Sequence, residues 1–515
     1  MDVNGDVAGR LSVIEPLTGP EGYTPDTLET RTARNLRVCK QVFMVFAVSL
    51  CHLSLAAIAM WPNTALSDLR RDNTTMYGNA ISLTRTEMDM LGSLVPAGSV
   101  PGTCLGAIFV SSIGRRRSMM VLLLPTVVGW GMIAFAVNPA MILFGRFFNG
   151  VTCGMSTVSA NTYIVELPDA AVRGTLFVIP TFFIIIGYVL TIASGLVLRW
   201  YQIPFLGISV STACFIVMLF MPESPTYLVI TDQKDEARKV LRNLRGPDVD
   251  VDEEINTLRS VNEKMISQPL LKVLRQPVMV KNLSIIFILF FIVNFSGLPA
   301  IIINTTRIFL DAGSEMNENL ATIIVLLMMF VGSGLSLFFL DRIGRKKSLI
   351  ASLTVTAICL LILGTFIHCK HIDKISIYSE DVTSIYNFTA GTTSSDNMML
   401  GNHMPNAPVD SSWTSEHSWV PLVCLLVYMA SASFGLVHIP FILSNEYFPT
   451  AVRAQASSAC LLVSNVFCLM ALQLYTPMQM GLTPAGLCWF NAAVCVFGVV
   501  FCTFFIWETK GRNVG

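Results

Sequence analysis

Glu166 is followed by Arg173 at a spacing of seven residues, and Glu446 by Arg453 at the same spacing. Opposite charges on so apolar a chain suit reversible ion pairing, in which partners form in one conformation and part in another. Basic clusters stand ready to join them. Gly114-Arg115-Arg116-Arg117 precedes the first pair, and Asp341-Arg342-Ile343-Gly344-Arg345-Lys346-Lys347 precedes the second. Pro222-Glu223-Ser224-Pro225 follows the first, and Glu508-Thr509-Lys510-Gly511-Arg512 follows the second. Three charged motifs thus return in the same order, the mark of a duplicated unit. No nucleophile–base spacing, metal-ligand cluster or phosphate-cradling loop accompanies them, so the chain is not expected to be an enzyme or to need a cofactor. The 13 Cys have no metal-site spacing and read as small apolar packing residues.

The elements that must position these charges are apolar. Of 515 residues, 53% are hydrophobic and only 13% charged, with a mean hydropathy of +0.62. About 20 apolar residues suffice for a helix to cross the hydrocarbon layer. Stretches of that kind fall at 41–61, 90–110, 118–137, 140–164, 175–197, 203–221, 281–303, 319–340, 348–368, 419–443, 454–476 and 484–507. The expected fold is an all-α membrane protein with twelve transmembrane helices in two pseudo-symmetric six-helix halves. Residues 1–40 read as a disordered tail, 41–221 as the N-terminal bundle, 222–280 as a linker and 281–507 as the C-terminal bundle; 508–515 form the tail. Two amphipathic helices are expected in the linker, at Asp232–Leu244 and Glu253–Ile266. The offset between motif copies grows by about fifty residues after Gly344, which matches the polar stretch 370–418, expected to be a long disordered loop.

Net charge is +0, so bulk charge implies no nucleic-acid partner. Lys and Arg fall in alternate loops, which places both termini and the linker in the cytosol. The expected setting is the bilayer of the plasma membrane, with a small-molecule solute as partner. The sequons Asn73-Thr74-Thr75 and Asn387-Phe388-Thr389 then lie outside as glycosylation candidates, whereas Asn282 is cytosolic and Asn304 too close to the bilayer.

An inner latch is expected from Arg115, Arg146, Glu166, Arg173, Glu223, Asp341, Arg345, Glu446 and Arg453, with the carboxylates pairing with Arg345 or Arg115 across the two halves. Arg146 is placed near a cytosolic helix end, a charge within a span being a functional candidate by default. Ser296-Gly297-Leu298-Pro299 and Gly435 through Pro440 interrupt the seventh and tenth stretches, as at a midplane substrate site. The first stretch has no acidic residue, and His52 is its one titratable side chain besides Cys51. That favours passive transport over proton coupling.

The motif set resembles the sugar porter branch of the major facilitator superfamily. The resemblance rests on the motifs above, with Gly145-Arg146-x3-Gly150 and Tyr163-x2-Glu166-x6-Arg173-Gly174, over about residues 40–512. Pro62-Asn63-Thr64-Ala65-Leu66 and Gly92-Ser93-Leu94 are most similar to insect facilitated trehalose transporters. The resemblance implies facilitative movement of a sugar by alternating access around a midplane site. Members of the family carry Gln where this chain has Thr181, a Gln-Gln-x-Ser-Gly-x-Asn run where it has Val293 through Pro299, and Trp where it has Phe441. The candidate substrate residues are Thr181, Asn294, Asn304, His438, Phe441 and Asn465. Because the site departs from the family's amides, two alternatives stay open: the same frame carrying a less polar solute, or a non-transporting sensor.

Overall fold

The computed structural model describes residues 31–168, 176, 179–246, 250–266, 276–303, 318–391, 417, 419–448 and 453–508. The described residues of the expected stretches fall mainly in helices. In the N-terminal half these are α1 (Arg31–Arg71), α2 (Arg85–Ser112), the consecutive α3 (Arg115–Val121) and α4 (Leu123–Ala134), α5 (Pro139–Glu166), α6 (Ile179–Ser194) and α7 (Ile203–Phe220). The linker holds α8 (Pro225–Ile230), α9 (Lys234–Arg245) and α10 (Val251–Ile266). The C-terminal half holds α11 (Pro277–Phe295), α12 (Glu318–Ile343), α13 (Arg345–Gly391), α14 (Val420–Ser431), a π-turn (Ala432–Leu436), α15 (Ile439–Glu446) and α16 (Arg453–Phe505). The last is two spans in one, bent where Thr483 takes φ 67° ahead of Pro484. Among the described residues, β pairing is limited to a bridge between Thr74 and Ala80, in a turn joining α1 to α2. That end is called the hairpin end below, and the opposite one the motif end.

Local signals set the boundaries. Thr84 and Glu87 form a capping box at the start of α2, and Asn138 caps α5 ahead of Pro139. The helix expected to stop at 368 runs on to Gly391; residues 392–416 lie outside those described. Helix α1 likewise begins ten residues before the expected boundary, at Arg31.

Packing is closest between α2 and α5. A Cβ on Gly98 would stand 2.2 Å from the Phe147 carbonyl, one on Gly102 2.4 Å from that of Val151, and one on Gly154 2.2 Å from that of Ser99. The helices meet backbone to backbone, as small residues permit within a bilayer. The largest apolar core fills the C-terminal half and takes in Met60, Ile185 and Ile192 of the other half. Two smaller cores stabilise the N-terminal half. The linker is docked on that half: Lys40 donates to Asn243 at 3.1 Å, Gln41 to the Leu244 carbonyl at 3.2 Å, and buried Arg245 to the Leu167 carbonyl at 3.0 Å.

Candidate functional site

At the motif end, two loops of opposite halves are built alike. Gly114 takes φ +95° and Gly344 φ +97°, in the left-handed region that glycine tolerates without strain. A Cβ would also strike a carboxylate: Glu223 Oε2 at 2.7 Å in one loop, Glu508 Oε2 at 2.5 Å in the other. Those carboxylates cap the helices that follow. Glu223 Oε1 accepts the backbone N–H groups of Arg115 (2.9 Å), Arg116 (3.0 Å) and Ser224 (3.0 Å). Glu508 accepts those of Arg345 (2.9 Å) and Lys346 (3.2 Å). A negative charge on the unpaired N–H groups of a helix start is stabilising on two counts, hydrogen bonding and the helix dipole.

Each loop then carries an ion pair. Arg115 donates from Nη2 to Glu166 Oε1 at 2.7 Å, with both side chains nearly buried, and its guanidinium lies 5.6 Å from the centroid of the Tyr227 ring. The other oxygen of Glu166 accepts the Ser224 hydroxyl. In the second half, Arg345 Nη2 reaches Glu446 Oε1 at 3.4 Å. Both pairs are internal to one half, where the expectation was of pairing across the halves. The reason is geometric: the cap seats each arginine at the start of its helix, and the nearest carboxylate ends a neighbouring helix of the same bundle. Arg173 lies outside the described residues, as do the side chains of Asp341 and Arg453.

Arg146 does not belong to this network. It sits two turns inside the Asn138 end of α5, about 30 Å along the helix from Glu166 at 1.5 Å per residue. Its Nε donates to the Leu91 carbonyl at 3.0 Å and its Nη1 to the Ile58 carbonyl at 2.5 Å, and the cation lies over Trp61 at 5.6 Å. It fastens α5 to α1 and α2 near the hairpin end. The expectation that it joins the latch is not met, because α5 begins, rather than finishes, at that end.

Mid-depth, the interrupted helices are confirmed. Helix α11 stops at Phe295, Gly297 takes φ +89°, and helical structure resumes over 298–303. The freed Ser296 carbonyl accepts the Tyr428 hydroxyl of α14 at 3.3 Å, and Asn491 packs where a Gly297 Cβ would stand. The tenth span passes through the π-turn, held by a bond from the Leu436 N–H to the Ser352 hydroxyl at 3.2 Å.

The structure brings Asn294, Phe441 and Asn465 around one region. Asn294 donates to the Phe290 carbonyl at 2.8 Å and reaches Ser464 Oγ at 3.5 Å. Phe441 meets Phe290 edge to face at 5.0 Å. Asn465 donates to Thr103 Oγ1 in the opposite half at 2.9 Å. Thr181 adjoins Phe182, whose ring meets Phe330 across the halves at 4.8 Å. His438 is buried against α12, 3.2 Å from the Ser333 hydroxyl, inside the C-terminal bundle. Asn304 lies outside the described residues. Phe291 of α11 stacks on Phe295 at 4.6 Å and meets Phe467 of α16 edge to face at 5.7 Å. Sequence reasoning missed Thr103, Ser464, Tyr428 and the capping roles of Glu223, placed only in the latch, and Glu508; only the last two had a signal, their equivalent places in the repeat.

Among the described residues, contacts between the halves include ones at the hairpin end and at mid-depth. At the hairpin end Asn63 Nδ2 donates to the Ile302 carbonyl at 3.4 Å, and Gly92 faces Ile303. The halves are thus closed together at that end.

Comparison with known proteins agrees with this architecture. The chain is 29% identical over 478 residues to a facilitated trehalose transporter Tret1-2 homolog of Drosophila sechellia, covering 92% of this chain and 89% of the relative. It is 28% identical to trehalose transporter 1 of Drosophila melanogaster across 99% of its own length, and spans about half (53%) of that longer protein. The proton:xylose symporter XylE bound to 6-bromo-6-deoxy-D-glucose, of the major facilitator superfamily, has the same fold, with a TM-score of 0.71 at 17% identity, over 92% of this chain and 98% of that one. Residues 54–395 and 397–514 match the family described as sugar (and other) transporter. Two halves with the same capped loop, two interrupted helices and a match over nearly the whole sequence agree: the chain belongs to the sugar (and other) transporter family, the sugar porters of the major facilitator superfamily.

Proposed function

We propose that the protein carries a sugar, trehalose or a hexose, down its gradient across the plasma membrane by alternating access, with both termini in the cytosol. The observation that carries this reading is the pairing of a stiff frame with interrupted helices. Each half has its own capped, ion-paired loop at the motif end, while the break at Gly297 and the π-turn give the C-terminal half two places to bend. Rigid bundles that rock about a midplane site need both properties. With the motif end cytosolic, closure at the hairpin end makes this the inward-facing arrangement. Asn73 is then exposed on the outer side and available for glycosylation; the side chain of Asn387 lies outside those described. The absence of an acidic residue from 41–61 supports a passive carrier.

One observation favours a second reading, a less polar solute. The mid-depth amides are engaged, Asn294 with a backbone carbonyl and Asn465 with Thr103, and Phe290, Phe291, Phe295, Phe441 and Phe467 make ring contacts within and between α11, α15 and α16. A site that hydrogen-bonds hydroxyls discriminates strongly, and an aromatic one rewards apolar faces instead. Uptake of radiolabelled trehalose, glucose and fructose in transport-null cells, with surface expression verified, tests both. Saturable uptake of one of them that does not change when a pH gradient is imposed is expected. Surface-expressed protein that moves none of the three overturns the sugar reading in favour of the second.

A further inference from the structure

Asn465 and Thr103 are 362 positions apart in the chain and belong to opposite halves, yet their side chains meet at 2.9 Å. Thr103 lies about two and a half turns from the motif end of α2, and Asn465 about three turns from that end of α16. The contact therefore sits deeper toward the motif end than those of Asn63 and Gly92. The bond has a defined direction. The Thr103 hydroxyl donates to the Ser99 carbonyl at 2.7 Å, so its oxygen is left to accept, and the Asn465 amide must present its nitrogen. The Thr103 side is also fixed in place. Thr103 is buried, and its neighbour Gly102 is pressed against the Val151 backbone, so α2 cannot follow Asn465 when the halves move. The Asn465 side is half-buried, next to Ser464, which Asn294 reaches at 3.5 Å. One turn of α16 thus joins the mid-depth region of its own half to the rigid α2–α5 pair of the other.

We infer that Asn465 and Thr103 form a tie between the halves that restrains the empty protein, and that a solute hydroxyl competing for the Asn465 amide releases it. Asn465 is then a positioning residue that links occupancy to movement as well as a contact for solute. The release step rests on the sugar-transport reading; the tie itself does not. Losing one neutral hydrogen bond changes a two-state population by about fivefold.

The test uses the full-length protein in lipid nanodiscs, with spin labels on non-natural amino acids at Arg117 and Lys347, exposed positions in the basic loops of opposite halves. Without any sugar, Thr103→Val is expected to move about fivefold more molecules to shorter, motif-end-closed distances, and Thr103→Ser to match the wild type. A Thr103→Val distribution equal to that of the wild type overturns the tie. Saturating trehalose is expected to move the wild type as Thr103→Val does and to leave Asn465→Ala unmoved. Trehalose that binds by calorimetry without changing the wild-type distances overturns the release step. Trehalose, glucose and fructose that all fail to bind overturn the sugar reading, while the sugar-free comparison has already decided the tie.

Discussion

The carboxylate of Glu223 accepts the backbone N–H of Arg115 at 2.9 Å, and the side chain of that same Arg115 pairs with Glu166 at 2.7 Å. One acidic residue thus fixes where a helix starts, and the helix start fixes where its arginine points. Glu508 and Arg345 repeat the relationship in the second half.

This makes the two capping carboxylates sensitive to charge and to hydrogen-bonding capacity separately. Glu223→Gln and Glu508→Gln keep an acceptor and lose the charge that opposes the helix dipole, which lowers stability by about 1 kcal/mol. The alanine variants lose the acceptor too and drop by about 2 kcal/mol. Thermal unfolding of the detergent-solubilised protein should rank wild type above glutamine above alanine at both positions. Alanine variants as stable as the wild type at either site would remove the capping role there.

The ion pairs behind the caps differ in burial. The side chains of Arg115 and Glu166 are 8% and 12% exposed, whereas those of Arg345 and Glu446 are 17% and 28% exposed and meet at a longer 3.4 Å. Breaking a nearly buried pair strands a charge and costs about 3–5 kcal/mol. A more exposed one contributes about 1 kcal/mol. Glu166→Gln should therefore destabilise far more than Glu446→Gln, and Arg115→Gln combined with Glu166→Gln should recover part of the loss. Equal effects of the two single changes in a thermal assay would contradict this.

Most of the frame was legible because it is written in long-wavelength patterns. Apolar stretches average over many residues, and their described residues fall mainly in helices, while Glu166 and Glu446 each end one. The linker helices were legible too: Asp232–Leu244 and Glu253–Ile266 correspond to Lys234–Arg245 and Val251–Ile266. What was not legible depends on which way a side chain points. Arg146 reads as a latch member by type, yet its depth in α5 places it at the far end. Of the expected latch, Arg115 meets Glu166 and Arg345 meets Glu446, and partner choice there follows from cap geometry rather than spacing. Asn465 reads as a substrate amide, and only packing shows Thr103 opposite it.

The hairpin end has its own charge cluster, and it predicts a pH dependence. Arg199 meets Asp68 at 3.2 Å and Asp72 at 2.9 Å. The hydroxyl and N–H of Thr74, and then the Arg199 guanidinium, hold the Asp72 carboxyl below its ordinary value. A carboxyl depressed in the folded state contributes stability above its unfolded pKa of about 4, and that contribution is lost as pH falls through the folded value. Asp72→Asn should accordingly be less stable than the wild type at neutral pH and converge with it in acid. A gap that persists unchanged from pH 7 to pH 3 would show that the carboxylate charge is not what matters.

Two glycines in adjacent helices separate backbone contact from lipid exposure. A Cβ at Gly154 in α5 would lie 2.2 Å from the Ser99 carbonyl and 2.5 Å from the Thr103 backbone nitrogen, both on α2. No flexible side chain can yield there, so Gly154→Ala must push α2 away from α5 along the packed face and displace Thr103 with it. Overpacking of this kind costs about 1–3 kcal/mol, and more where backbone must move. At Gly131 in α4 nothing lies within 4 Å of the added carbon, and alanine in a helix interior is favoured over glycine by about 0.5–1 kcal/mol. Gly154→Ala should lower both surface expression and melting temperature, whereas Gly131→Ala should hold or raise them. A Gly154→Ala protein that melts with the wild type would mean that α2 and α5 are not in backbone contact.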